Sequence, residues 1–250
     1  MEFKELRRNW ELYGKKDPMY AILSWPGKEG NKWDSQEFFR TGKSEIQLVF
    51  EYLKTKNIAL HLGRALDFGC GVGRLTQALC EYFSWTVGID ISSSMIELAR
   101  KYNAFGNKCS YEVNVKDDLS IFESNYFDFI YSNITLQHMR PDYAKKYITE
   151  FIRVLKPGGV LLFQIPSHKK AAVGEETTKP HRSRFPFVPL IVKKLIYKLF
   201  LERNDPKMEM YGIEPEEVKK EINLSGGKVL EVTEDSSVDD WHSLRYLVTK

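Results

Sequence analysis

The chain has 250 residues, is 42% hydrophobic and 28% charged, and carries a formal net charge of +3, which suits one large domain, or one domain with an elaboration, around a substantial core. So small a positive balance gives no reason to expect a nucleic-acid partner, and the charged start, Met1 to Lys16, lacks the apolar stretch of a signal peptide. No apolar run approaches the roughly 18 residues of a membrane span, and Cys70, Cys80 and Cys109 form no Cys-x-x-Cys pair, so reduced thiols in a cytoplasmic protein without a metal site are expected.

Residues 1–44 are dense in aromatics, among them Phe3, Trp10, Tyr13, Tyr20, Trp25, Trp33, Phe38 and Phe39, and Pro18, Pro26, Gly27 and Gly30 break them into short pieces. Exposed aromatics are unfavourable, so this segment is expected to pack on the edge of the core as a cap. Phe38 to Gly42 leads into an apolar-periodic helix marked by Ile46, Val49, Phe50 and Leu53. Ala65 to Phe68 then ends a short buried strand, and Arg74 to Phe83 reads as the helix after it.

Between that strand and that helix stand Gly69, Gly71 and Gly73, at alternate positions. Glycine serves where the chain turns with positive φ or where a ligand touches the backbone. The free N–H groups at the start of the next helix favour an electron-rich ligand. A dinucleotide turn has the spacing Gly-x-Gly-x-x-Gly; here the third glycine comes one residue early, and Arg74 holds the position of the last one. Asp67 stands two residues before Gly69, where a carboxylate would repel a pyrophosphate and suit an ammonium.

Trp85 to Asp90 is a β-rich run ending in an acid. Asp90 lies about where a Rossmann-like fold places its ribose-binding carboxylate, and an ionised carboxylate accepts both ribose hydroxyls in a fork. Helix N-capping is the competing role for Asp90, which Ser92 to Ser94 could fill instead. Tyr111 to Val115 is the third strand and Lys116 to Leu119 its exit. Phe127 to Asn133 is the fourth strand, followed by Ile134 to Met139 at its carboxyl end, where open α/β sheets bind ligands.

Pro141 to Leu155 reads as a helix with Pro141 at its start and Gly158 beyond its end; a tight Lys-Pro-Gly-Gly turn then leads into a fifth strand, Val160 to Ile165. Residues 166–210 break the alternation: Ser167 to Phe200 holds eight Lys or Arg against Glu175 and Glu176. A long loop there is read as a lid, with packing on the sheet or contact with an anionic membrane surface as alternatives. Pro215 to Leu224 reads as a helix, and Lys228 to Val232 and Ser243 to Val248 as a closing strand pair.

Asp67-x-Gly69-x-Gly71-x-Gly73 matches, position for position, the first motif of the class I S-adenosylmethionine-dependent methyltransferases. Phe127-Asp128, Ser132-Asn133 and Leu136-Gln137-His138 resemble a common form of that family's fourth motif, and Arg153 to Gly159 resembles its helix-to-strand turn. The likeness is to the small-molecule branch; the Asn/Asp-Pro-Pro-Tyr form used on nucleobase amines is absent. It covers residues 40–165 closely and 210–250 in topology alone.

The resemblance implies a Rossmann-like, doubly wound α/β sheet of seven strands, the last antiparallel, with helices on both faces. The parts would be an N-terminal cap (1–44), a cofactor-binding core (45–165), an inserted lid (166–210) and a C-terminal helix with a strand pair (211–250). It implies S-adenosyl-L-methionine as cofactor and S-adenosyl-L-homocysteine as product. The cofactor would be held by Asp67, Gly69, Cys70, Gly71, Gly73 and Arg74 of the first motif, by Asp90, and by Ile91 and Met95 against the adenine. Asp117 and Asp118 are candidates for its amino group, Ser132 and Asn133 for the wall beside the methyl, and Arg40 and Thr41 for the aromatic stretch over the cofactor. Tyr131, Gln137 and His138 would form the acceptor pocket, with His138 the candidate general base because imidazole takes a proton near neutral pH.

The expected activity is methyl transfer to a small molecule, anionic or lipid-linked if the basic stretch selects it. The alternatives are a nucleic-acid or protein methyltransferase and a non-catalytic S-adenosylmethionine-binding protein. Peripheral membrane contact and oligomeric state stay open.

Overall fold

The computed structural model describes residues 1–170, 205–236, 238 and 240–250. The cap holds α1 (Phe3–Lys16) and α2 (Pro18–Ile22), with Pro18 in the first turn, where its missing N–H costs no hydrogen bond. Next comes α3 (Ser35–Thr55), started by Asp34, whose side chain accepts from the Glu37 N–H at 2.8 Å. The division drawn at residue 44 therefore falls inside a helix: no glycine or proline after Gly42 interrupts its apolar face of Phe38, Ile46, Val49 and Leu53.

The alternation that follows is β1 (Arg64–Phe68), α4 (Arg74–Leu79), β2 (Trp85–Asp90), α5 (Ser93–Tyr102), β3 (Cys109–Val113), β4 (Phe127–Ser132), α6 (Pro141–Val154) and β5 (Leu155–Lys169). After the undescribed residues come α7 (Pro215–Leu224), β6 (Lys228–Asp235) and β7 (Trp241–Thr249). The seven strands lie in the order β3-β2-β1-β4-β5-β7-β6. β1 to β5 pair in parallel, and β7 runs antiparallel to both β5 and β6. The strand order reverses between β1 and β4, which opens a crevice at their carboxyl ends.

Central strands buried on both faces supply two cores, because successive side chains point to opposite sides. Ile130, Leu161 and Phe163 pack with Phe151 of α6, Val218 of α7 and Leu6 of α1. Phe129, Tyr131 and Leu162 pack on the other face with Val49 and Leu53 of α3 and Leu75 and Leu79 of α4.

Several elements differ in extent from the sequence reading, α4 and β5 among them. α4 stops at Leu79 rather than Phe83: the Glu81 and Tyr82 N–H groups tighten onto the carbonyls three residues back, and Ser84 pairs with Leu62 at the edge of β1. β5 continues past Ile165 to Lys169 because β7 offers partners as far as Trp241. Of the segment read as a lid, residues 171–204 lie outside the described residues. Its described end returns to the cap, where the Tyr13 hydroxyl donates to the Pro206 carbonyl at 3.1 Å and Lys16 pairs with Asp205 at 2.7 Å.

Candidate functional site

At the crevice lies a cleft of about 740 Å³, open mouth included, walled mainly by apolar side chains. Gly69 and Gly71 form its floor, Asp90 and Ile91 the end of β2, Asn114 the exit of β3, and Asn133 to Thr135 the exit of β4. Leu6, Trp10, Ala21 and Ile22 reach it from the cap, and His138, Met139 and Tyr147 close the far side. Glycine is required at residue 69: φ is +77°, and a Cβ there would stand 2.2 Å from Thr135 Cγ2.

Asp90 is the best-defined polar group of the cleft. One carboxylate oxygen accepts from the Gly71 N–H and the other from the Ser92 N–H, both at 2.9 Å. Each oxygen keeps a lone pair for a ligand. The capping alternative is settled locally, since the Ser92 hydroxyl accepts from the Met95 N–H and is the N-cap of α5. Burial pushes the Asp90 carboxyl up to about 6, against the opposing pull of the Ser92, Gly71 and Ile91 N–H groups.

The other expected cofactor residues divide. Gly69, Gly71, Ile91 and Asn133 line the cleft as expected. Asp67 does not: it is buried beneath the turn and accepts from the Thr76 hydroxyl at 2.6 Å, and burial raises its carboxyl to about 7. Cys70 packs against Ile96 and Tyr111. Gly73 precedes α4 with φ +85°, where a Cβ would meet the Tyr111 hydroxyl at 2.5 Å. Met95 is core, packed with Met19, Trp33, Phe38 and Val72.

Asp117 and Asp118 also miss the cleft. Asp117 pairs with Lys146 at 2.9 Å, and Asp118 accepts from the Ser120 N–H at 3.0 Å. Asn114 lines the cleft instead, its amide donating to the Asp118 carbonyl at 2.8 Å. The signal for Asn114 was its position immediately past Val113, where β3 ends.

Ser132 is buried, its hydroxyl donating to the Phe68 carbonyl at 3.3 Å. Arg40, Thr41 and Arg74 line a second groove, with Leu23, Trp25 and Leu48, rather than the cleft. Glu45, which the sequence reading missed, lines the second groove as well: it accepts from Arg74 Nη2 at 2.8 Å, the Tyr131 hydroxyl at 2.9 Å and Asn133 Nδ2 at 2.7 Å. No spacing rule links a residue of α3 to the end of β4, so only the fold reveals it.

On the acceptor side, Tyr131 is buried against Glu45 and does not reach the cleft; burial and that carboxylate hold its phenol well above its ordinary value. Gln137 also lies behind the wall, in a chain of buried amides. Gln164 accepts from the Ile134 N–H at 3.0 Å and donates to Gln137 Oε1 at 3.1 Å, and Gln137 Nε2 lies 3.3 Å from His138 Nε2. Ile134, whose N–H this chain engages, has φ +55°, an uncommon conformation for a β-branched residue.

His138 lines the cleft edge-on to Trp10, and its Nδ1 lies 3.0 Å from the Glu209 carbonyl. A carbonyl only accepts, so Nδ1 carries the proton and Nε2 keeps the lone pair that faces Gln137. Burial lowers His138 to about 4, opposed by the Glu209 carbonyl.

Among the described residues no helix is long and apolar enough to cross a membrane, and no group of three His, Cys, Asp or Glu is placed to hold a metal. The cleft fits S-adenosylmethionine. Asp90 offers two accepting oxygens, Ile91 an apolar wall and the glycine turn close backbone approach, while the buried Asn133 Oδ1 has no partner of its own.

A methyltransferase domain family matches residues 66–163. Phosphoethanolamine N-methyltransferase 3 of Arabidopsis thaliana is 40% identical over 101 residues, 40% of this chain and 20% of that protein. The chloroplastic tocopherol O-methyltransferase of the same plant is 28% identical over 147 residues, 55% of this chain and 41% of that protein. The crystal structure of magnesium protoporphyrin IX methyltransferase from Synechocystis PCC 6803, with bound S-adenosylhomocysteine, superposes with TM-score 0.57 at 19% identity, covering 93% of each chain. Residues 66–163 thus form a methyltransferase domain. The fold is that of S-adenosylmethionine-dependent methyltransferases of known structure. The chain spans about half or less of the length of the curated relatives it matches.

Proposed function

We propose that this protein transfers a methyl group from S-adenosylmethionine to a small molecule bound in the same cleft. The observation that carries the reading is the meeting of the Gly69–Gly71 turn, the two-oxygen Asp90 acceptor and an apolar cleft at the sheet's reversal point. The cofactor supplies an electrophilic methyl on a sulfonium. The chain then has only to bind, orient and exclude water. Asp90 would accept the ribose hydroxyls, Ile91 would face the adenine, and Asn114 would meet its edge.

Holding the acceptor in line with the methyl contributes up to about 7–11 kcal/mol, so no catalytic triad is needed. His138 is neutral at pH 7, and its free lone pair is already met by Gln137. We therefore give His138 the role of orienting the acceptor with an uncharged ring; as a general base it would be weak. The cap residues Leu6 and Trp10 would shield the reacting atoms from water. The acceptor is inferred to have an apolar body bearing a nucleophilic nitrogen or oxygen, the two atoms methylated by the two plant enzymes according to their names. An anionic acceptor would depend on the basic residues of 166–210, most of which lie outside the described residues.

The test is a panel of apolar amines, phenols and carboxylic acids assayed for S-adenosylhomocysteine release. Turnover with one chemical class and none without acceptor is expected. Tight cofactor binding with no turnover on any class would favour a non-catalytic S-adenosylmethionine-binding protein. His138→Gln should retain measurable turnover; its complete loss, rescued by raising pH, would restore the base.

A further inference from the structure

Resting on the reading that S-adenosylmethionine occupies the cleft, we propose that Glu45 is a positioning residue: it orients the Asn133 amide so that Oδ1 receives the protonated amino group of the bound cofactor. Glu45 sits on α3, outside every motif of the sequence, yet three donors, one from α4 and two from the end of β4, converge on it. Arg74 Nη2 of α4 meets one oxygen at 2.8 Å, while the Tyr131 hydroxyl at the end of β4 and Asn133 Nδ2 just beyond it share the other at 2.9 and 2.7 Å. A carboxylate only accepts, so Asn133 must present its NH₂ to Glu45. Its Oδ1 is then the atom left over, and it is buried with no partner among the described residues.

A buried acceptor without a partner is costly unless a ligand supplies the donor. Asn133 forms part of the wall next to Gly69 and Ile134, and an ammonium is a pure donor. The match is chemical as well as geometric: Oδ1 suits an N–H and would repel a carboxylate or phosphate. Asp67, the carboxylate expected from sequence to meet the ammonium, is committed to Thr76 beneath the turn, so the task passes to the Asn133 amide.

Glu45→Gln tests the orientation directly. Arg74 carries a permanent charge and only donates, so the new amide turns its oxygen to Arg74, where the hydrogen bond is charge-assisted. Its NH₂ then faces Asn133, whose own amide must rotate and show NH₂ to the cleft. The acceptor for the ammonium becomes a donor.

The experiment is calorimetric titration of the full chain, wild type and variants, with two ligands. S-adenosylhomocysteine carries the amino-acid end; 5′-methylthioadenosine keeps the adenosine and sulfur and lacks it. In Glu45→Gln, S-adenosylhomocysteine affinity should fall about 10- to 100-fold, the scale of a hydrogen bond to a charged group, with 5′-methylthioadenosine affinity unchanged. Asn133→Ala should show the same split, and it carries the test if the Gln variant does not fold; Glu45→Asp should recover part of the loss. Equal losses for both ligands, or no loss for either, would overturn the proposal. If the wild type binds neither ligand, the cofactor reading itself has failed, a result distinct from failure of the Glu45 assignment.

Discussion

Asp90 shows how one residue's surroundings decide what it can do. Its carboxyl titrates near 6 because burial opposes the charge, while two backbone N–H groups hold it in place. With its folded value raised above the ordinary 3.8, Asp90 favours the ligand-free fold most below about pH 4, and that contribution is lost as pH rises through 6. Ribose hydroxyls donate to the anion, so ligand affinity runs the other way. S-adenosylhomocysteine affinity should fall by up to tenfold per pH unit below about pH 6 and level off above it. Asp90→Asn should flatten the profile and cost roughly 1–3 kcal/mol at about pH 8, read by calorimetry across that range. A wild-type profile flat from about pH 5 to 8 would show that Asp90 does not hold the ligand.

The residue scale is also where the sequence was least complete. Gly69, Gly71, Asp90, Ile91 and Asn133 were legible because strand ends and glycine spacing place them at the crevice whatever the packing around them. Asp67, Met95, Tyr131 and Gln137 carry the right residue types at motif positions, but their neighbours bury them behind the wall. Asn114 was marked only by its place just past Val113 at the end of β3, and Glu45 is set by tertiary contact, which no local pattern encodes.

At the scale of elements, the strands were readable from buried β-rich runs and from the helices that separate them, and the seven-stranded topology from the family resemblance. Element ends were not, because a partner strand lengthened β5 and backbone pairing at Ser84 shortened α4. The approach of α3 to α4 is a further case. Gly42 lies mid-helix, where alanine would gain about 1 kcal/mol in propensity. A Cβ at Gly42, however, would stand 2.4 Å from the Arg74 carbonyl oxygen, a backbone atom that cannot swing aside. Gly42→Ala should therefore destabilise the protein by about 1–3 kcal/mol, the overpacking range, seen as a lower midpoint in urea unfolding. An unchanged or higher midpoint would mean that α3 moves freely over α4. Displacing α3 would also shift Glu45, so cofactor affinity should drop with stability.

At the scale of the whole molecule, the N-terminal helices are joined to the core through the cleft. Glu11 of α1 accepts from the Ser94 N–H at 3.0 Å at the start of α5, and Leu6, Trp10, Ala21 and Ile22 line the cleft from above. The aromatic content of residues 1–44 announced a packed segment; which side chains face the ligand depended on how α1 and α2 turn. Trp10→Ala opens the wall beside His138, so the acceptor KM should rise several-fold while 5′-methylthioadenosine affinity changes little. A fall in kcat with KM unchanged would place Trp10 outside the acceptor site.

The central claim is that a sulfonium nucleoside, and not a dinucleotide, belongs in the cleft at the β1–β4 reversal. Isothermal titration of the full chain with S-adenosylhomocysteine and, separately, with NAD tests it most directly. The account predicts saturable binding of S-adenosylhomocysteine at one site per chain, weakened by Asp90→Asn, and no detectable heat of binding for NAD. Saturable NAD binding with no S-adenosylhomocysteine binding would contradict it.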